Sequence, residues 1–224
     1  MKRSTVYLGT VALSFAAIVP IPAQPQQPVD LETIVARCVS CHGQGGVSTD
    51  PDIPNLAGQH TEYLVKQLHA FQYGGRRLLQ DRHSDDLAPV NRRSNPHMSS
   101  QSFGLDDDQI NTVAAYFSSQ PCQSGHPENA PVSISKIERC AVCHGATGIS
   151  HLQDVPKLAG QKKNYMVEQL TVLRDHARAY NIVGHSTLRS SSIMETQAFT
   201  LTNGEIDNLA SYFAAQSCSD PIRR

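Results

Sequence analysis

Cys38-Val39-Ser40-Cys41-His42 recurs in the same chain as Cys140-Ala141-Val142-Cys143-His144, and each copy is followed by glycine. Two thiols three residues apart, with a histidine directly after the second, form the C-x-x-C-H pattern of covalent c-type haem attachment. Each thiol can add to one vinyl group of a porphyrin, and the histidine then lies within reach of the iron. A structural zinc site would pair two such units across roughly 15 to 20 residues, whereas these lie at an offset of 102. A thioredoxin-like redox pair has no need of a duplicated histidine. The pattern predicts two haems, with Cys38, Cys41, Cys140 and Cys143 as tethers and His42 and His144 as proximal iron ligands.

A six-coordinate haem needs a second axial donor, and a duplicated chain allows it to be chosen by recurrence. Residues 38 to 69 align with 140 to 171 without a gap, and 16 of the 32 pairs are identical. A second block, at offset 96, sets Met98-x-x-Gln101-x-Phe103-x-Leu105 against Met194-x-x-Gln197-x-Phe199-x-Leu201. Met98 and Met194 therefore stand as the distal ligands. His97 is the competing donor in the first half, but its counterpart is Ile193, and Met166 pairs with Leu64 inside a helical stripe as core filler. A soft thioether raises the reduction potential relative to a second histidine. Iron closed on both sides suits electron transfer better than oxygen or peroxide chemistry. Pro54 and Pro156 each lie 12 residues beyond their histidine; a carbonyl there could accept the Nδ1 proton, or the prolines only shape the loop. Gln59, Gln161, Tyr63, Tyr165 and Arg76 are candidate haem contacts, while His83 and His185 read as loop residues.

The elements that must position these groups are helical. Tyr63, Val65, Leu68 and Phe71, matched by Tyr165, Val167, Leu170 and Leu173, mark a helix after each Leu-Ala-Gly-Gln segment. Asp106-x-x-Gln109 and Thr202-x-x-Glu205 are capping boxes, opening the stripes Ile110, Val113, Ala114, Phe117 and Ile206, Leu209, Ala210, Phe213. Short helices lead into each haem motif, and no strand is convincing. The expected fold class is all-α, a tandem duplication of one haem-binding domain. The divisions are 1–23 as a signal peptide, 24–120 as the first domain, 121–132 as a linker rich in Pro, Ser and Gly, and 133–224 as the second domain. With 39% hydrophobic residues and no tryptophan, each half has a thin core that a large apolar cofactor would complete.

Lys2 and Arg3, the apolar run near Val6 to Val19 and Pro20-Ile21-Pro22-Ala23 read as a secretory signal, with an uncleaved anchor as the alternative. Export to the periplasm fits covalent haem attachment and permits disulfides. The formal net charge is −1, distributed unevenly: residues 24 to 128 hold 7 basic and 12 acidic groups, residues 129 to 224 hold 10 and 8. Nothing resembles a nucleic-acid footprint, and the asymmetry would bias docking of charged redox partners at opposite ends. Cys122 and Cys218 occupy equivalent positions after the final helix of each half. A bridge between them requires both to lie near a pseudo-two-fold axis; two unpaired thiols, or bonds to another chain, are the alternatives.

Taken with the two P-x-L-x-G-Q segments and the Met-to-helix blocks, the haem motifs resemble those of the dihaem cytochromes c4, built from two class I cytochrome c domains. The resemblance spans nearly all of the chain after the signal. It implies helical domains about a pseudo-two-fold axis with neighbouring haems, His42 and Met98 on the first iron and His144 and Met194 on the second. It also implies a periplasmic carrier, soluble or peripherally attached to the membrane, between a quinol-oxidising complex and a terminal oxidase. The alternative is the cytochrome subunit of a periplasmic dehydrogenase, taking electrons from a catalytic partner. A dihaem enzyme is the third reading, disfavoured by the paired methionines.

Overall fold

The computed structural model describes residues 30–79, 91–125, 134–179 and 189–219. The proposed signal peptide, His83 and His185, most of the linker and the Arg76 side chain lie outside the described residues. The first half holds α1 (Leu31–His42), a single 3-10 turn (Gln44–Gly46), α2 (Thr61–Leu79), β1 (Asn91–Arg93), α3 (Pro96–Ser102) and α4 (Asp107–Ser119). The second repeats the order with α5 (Ile134–His144), α6 (Lys163–Ala179), β2 (Arg189–Ser191), α7 (Ser192–Ala198) and α8 (Asn203–Ala214).

The ends of these helices follow local chemistry. Asp30 caps α1 by accepting from Thr33 N at 2.8 Å. Gly43 stops α1 at φ 77°, where a Cβ would lie 2.0 Å from the Val47 carbonyl oxygen. Both expected capping boxes are present, Asp106 with Gln109 and Thr202 with Glu205. Behind them the two stripes are buried, and each builds its own core. Ile110, Val113, Ala114 and Phe117 pack with Ile34, Leu64 and Leu105. Ile206, Leu209, Ala210 and Phe213 pack with Met166, Leu173, Ala198 and Leu201. At about 1.5 to 3 kcal/mol for each large apolar side chain removed from water, these stripes are the main force holding α4 and α8 in place.

The fold is all-α, with one addition that the sequence pattern did not reveal. β1 and β2 pair antiparallel across the two halves, Arg93 opposite Arg189. Three residues are too few to show an alternating pattern. Arg93 and Arg189 are equivalents in the repeat, so their pairing lies on the pseudo-two-fold axis. The Cys122–Cys218 disulfide, with S–S 2.04 Å and Cα–Cα 6.2 Å, joins equivalents in the same way. Between these two points the halves exchange hydrogen bonds. Gln59 Nε2 donates to the Lys157 carbonyl and Gln161 Nε2 to the Asn55 carbonyl, at 3.0 and 2.9 Å. Arg93 reaches Tyr165 Oη at 2.7 Å and Gln169 Oε1 at 3.0 Å, its guanidinium 4.6 Å from the Phe71 ring centroid.

The bridge closes a loop of 96 residues, which the loop-closure argument values at about 4 to 5 kcal/mol. A Cys122→Ser, Cys218→Ser protein is expected to keep both cofactors while its unfolding free energy falls by an amount of that order, seen as a lower denaturation midpoint. An unchanged midpoint would show that the interface holds without the bridge.

His60 is buried at the same interface, where its Nε2–H donates to the Ser150 carbonyl at 2.9 Å. Burial, and then the Lys157 ammonium, lower its pKa below the ordinary 6.5. The unfolded chain therefore takes up this proton at higher pH than the folded one. The contribution of neutral His60 is complete above about pH 6.5 and is lost as pH falls below it. Denaturant midpoints across this range should show a smaller acid-side decline in His60→Asn than in the parent; an equal decline would exclude His60 as a source.

Candidate haem sites

Each attachment motif ends a helix. Cys38 and Cys41 are one turn apart on α1, so both thiols share a face, and His42 is the last helical residue. The chain then turns back on itself: the Gly46 carbonyl accepts from Leu56 N at 2.8 Å and Ala57 N at 3.1 Å. Ser48 Oγ donates to the Cys41 carbonyl at 3.4 Å, and Ser48 N to Asn55 Oδ1 at 3.0 Å. This fold-back brings the Pro54 carbonyl to 2.9 Å from His42 Nδ1. A carbonyl only accepts, so Nδ1 carries the proton, and Nε2 is the nitrogen a metal would take.

The second half repeats this construction. The Gly148 carbonyl accepts from Leu158 N and Ala159 N at 2.7 and 3.2 Å. Ser150 Oγ donates to the Cys143 carbonyl at 2.6 Å, and His144 Nδ1 donates to the Pro156 carbonyl at 2.9 Å. Both histidines are buried. Of the two roles open to Pro54 and Pro156, the carbonyl contact is thus realised in both halves.

Burial moves His42 below the ordinary histidine pKa, opposed by its bond to Pro54 and reinforced by the Arg93 charge. The ring is therefore held in the neutral form that can ligate iron. Burial likewise raises the Cys38 and Cys140 thiols. All four motif cysteines are unpaired, in the same molecule whose other two are bridged. Among the described residues no group of three or more His, Cys, Asp or Glu side chains could hold a metal ion by itself. One neutral histidine beside two tethering thiols is the donor set expected where a porphyrin supplies the remaining nitrogens, and the residues fit covalent haem.

Met98 and Met194 are the third residues of α3 and α7, and both are half-buried. Asn95 caps α3 by accepting from Met98 N at 3.1 Å. His97 is exposed, as is its counterpart Ile193. Met166 is 6% exposed within the second core, as a filler should be. Gln59, Gln161 and Tyr63 turn out to be interface residues: the glutamines bind the backbone of the opposite half, and Tyr63 N donates to the Gln153 carbonyl at 3.1 Å. Tyr165 meets Arg93 there. Arg93 and His60 were not singled out from sequence. For Arg93 a signal exists, since the offset of 96 extends back to Arg189; His60 faces Lys162 in the repeat and carries no such mark.

The cytochrome c family model matches residues 32–121 and 134–217. Cytochrome c4 of Stutzerimonas stutzeri is 32% identical over 191 residues, covering 80% of this chain and 83% of that protein. The chain belongs to the cytochrome c4 family. As a member it carries two covalently bound haem c groups and works in electron transfer. The crystal structure of reduced recombinant cytochrome c4 from Pseudomonas stutzeri superposes with a TM-score of 0.64 at 30% identity, covering 84% of this chain and 98% of that one. A protein named thiosulfate dehydrogenase electron acceptor, from Thiomonas intermedia, is 26% identical over 235 residues, covering 98% of this chain and 93% of its own length. In this cytochrome c4 relative the two attachment motifs fall one in each matched region, so each cytochrome c unit has its own thiols and histidine.

Proposed function

We propose that this chain is an exported, non-catalytic electron carrier in which His42 and Met98 hold one iron and His144 and Met194 the other. When bound, each haem supplies one iron centre that takes up and releases a single electron. The chain's own residues fix the histidine rings through Pro54 and Pro156, keep His42 neutral by burial, and set one half-buried methionine in each half. The observation that carries the reading is the twofold occurrence of one geometry: each proximal ring bonds its proline carbonyl at 2.9 Å. A carrier needs centres that change little on oxidation, and rigidly held ligands limit that change. We divide the chain into a leader at 1–23, domains at 24–120 and 133–224, and a linker at 121–132. Among the described residues no helix is long and apolar enough to cross a membrane.

The donor in this reading is a quinol-oxidising complex and the acceptor a terminal oxidase, both reached in the periplasm. A second reading, a dehydrogenase as donor, is favoured by the relatives named thiosulfate dehydrogenase electron acceptor, one of which matches along 98% of this chain. Membranes bearing a quinol-oxidising complex should reduce the purified two-haem protein, and terminal oxidase should reoxidise it. Reduction only when thiosulfate and thiosulfate dehydrogenase are supplied would select the second reading. Turnover of thiosulfate or peroxide by the protein alone would sink both.

The ligands are tested separately. Met98→Ala is expected to turn one haem high-spin and lower its potential, with the other unchanged, and Met194→Ala to do the converse. A silent Met98→Ala beside an altered His97→Ala spectrum would reassign the ligand.

A further inference from the structure

We propose that Gln59 and Gln161 are positioning residues acting in trans, each strengthening the hydrogen bond of the proximal histidine in the opposite half. The proposal rests on the reading of His42 and His144 as iron ligands. The Pro54 carbonyl, which accepts from His42 Nδ1 at 2.9 Å, and the Asn55 N–H are the two ends of one peptide group. That N–H crosses to the other half, donating to Gln161 Oε1 at 2.8 Å. Glutamine, peptide and imidazole thus form one chain of hydrogen bonds. The repeat returns the arrangement with the roles exchanged. Lys157 N–H donates to Gln59 Oε1 at 2.8 Å, and Pro156, at the other end of that peptide, accepts from His144 Nδ1 at 2.9 Å.

The orientation of both side-chain amides is determined by their neighbours. Each Oε1 faces a second donor, His60 N at 3.0 Å for Gln59 and Lys162 N at 2.9 Å for Gln161. Each Nε2 faces a carbonyl, that of Lys157 or Asn55. Reversing either amide would set like against like. Both side chains are buried, at 6% and 9% exposure.

Hydrogen bonds joined head to tail polarise one another, by roughly 10 to 30% per bond. A peptide whose N–H is held by an acceptor carries more negative charge on its oxygen. The oxygen then draws harder on the imidazole proton and makes the ring a stronger donor to iron. Stronger donation favours ferric iron and lowers the potential. Gln161 therefore lowers the potential of the first-half haem, and Gln59 that of the second. Since both bonds cross the interface, a shift of one half against the other reaches both rings.

Gln161→Leu and Gln59→Leu in the two-haem protein test this, with the potential of each haem followed by NMR during a redox titration and the exchange of each Nδ1 proton measured. Gln161→Leu should raise the potential of the haem on Cys38 and Cys41 and speed His42 Nδ1 exchange, leaving the other haem as it was. Gln59→Leu should do the same to the haem on Cys140 and Cys143 and to His144. Lys66→Ala removes the exposed cross-interface pair with Asp154, 3.4 Å apart, and touches neither peptide; it should move neither potential. Shifts confined to the variant's own half, equal shifts in both haems, no shift, or a Lys66→Ala that matches the glutamine variants would each overturn the proposal. If leucine costs the protein a haem or its fold, Gln161→Asn and Gln59→Asn withdraw the amide by one methylene, and the same crossed pattern is required of them. A parent protein whose His42 or His144 resonances show no bond to iron would fail the ligand reading itself, before any glutamine is changed.

Discussion

An imidazole is a dependable iron ligand only while its ring is held still and its far nitrogen keeps the proton. For His42 and His144, the proposed iron ligands, that constraint is met by one backbone carbonyl per half, 2.9 Å from Nδ1. Much of the surrounding structure follows from the need to bring a carbonyl there. The chain has to leave the helix at once, so Gly43 and Gly145 take positive φ directly after the histidines. It has to return close to the core, so Gly46 and Gly148 lie where a Cβ would approach the Phe117 and Phe213 rings at 2.7 and 2.8 Å. Those rings belong to the capped, core-facing helices α4 and α8. The geometry of each histidine ring thus hangs on the hydrophobic core through the loop, and a weakened core would release the ring.

The segments that hold the histidines also form the interface. Residues 54 to 60 carry the carbonyl, the Leu-Ala-Gly-Gln turn and His60; their partners in the other half are Lys157, Gly160 and Gln161, within the repeat-equivalent segment 156 to 162, and Ser150 just before it. Gly58 and Gly160, both at φ 68°, lie against the chain flanking the disulfide; a Cβ on Gly58 would meet Cys122 Cβ at 2.8 Å. The two units are therefore not beads on a string. A small haem domain has little apolar surface to bury, and pairing two of them back to back gives each loop a second wall.

Most of the fold was legible because it rests on periodic, local signals. The repeat, the two capping boxes and the i, i+3, i+4, i+7 stripes each occupy one stretch of chain, and the two buried stripes match the sequence residue for residue. The candidate site was legible where it recurs: the thiols, histidines, prolines and methionines appear twice, both proline carbonyls meet their histidines, and recurrence is the basis on which Met98 is proposed over His97. What could not be read was the interface. Gln59 and Gln161 were visible as a repeated pair, but a contact that exchanges partners between copies looks in sequence like a contact within each copy. The β1–β2 pairing and the placement of Arg93 depend on which surfaces meet, and no pattern within one segment encodes that. The bridge between Cys122 and Cys218 was decidable only from the axis, which three independent pairings now locate.

The two halves keep the same mechanics while their charges diverge. Gln72 Nε2 donates to the Ser102 and Leu105 carbonyls at 2.8 and 2.7 Å; at the equivalent position Arg174 reaches the Leu201 carbonyl at 3.5 Å and Asn203 Oδ1 at 2.7 Å. Asn55 and Lys157 present the same backbone to the opposite glutamine, yet one is neutral and the other cationic. His60, held neutral by burial, stands where the second half has Lys162. At these three positions the second half is the more positive. Ferrous haem carries one positive charge fewer than ferric, so the balance between the two states responds to such charges even when every ligand distance is the same. Duplication first supplies two centres with one geometry. Substitution at positions that leave the backbone contacts intact then gives them different electrostatic surroundings.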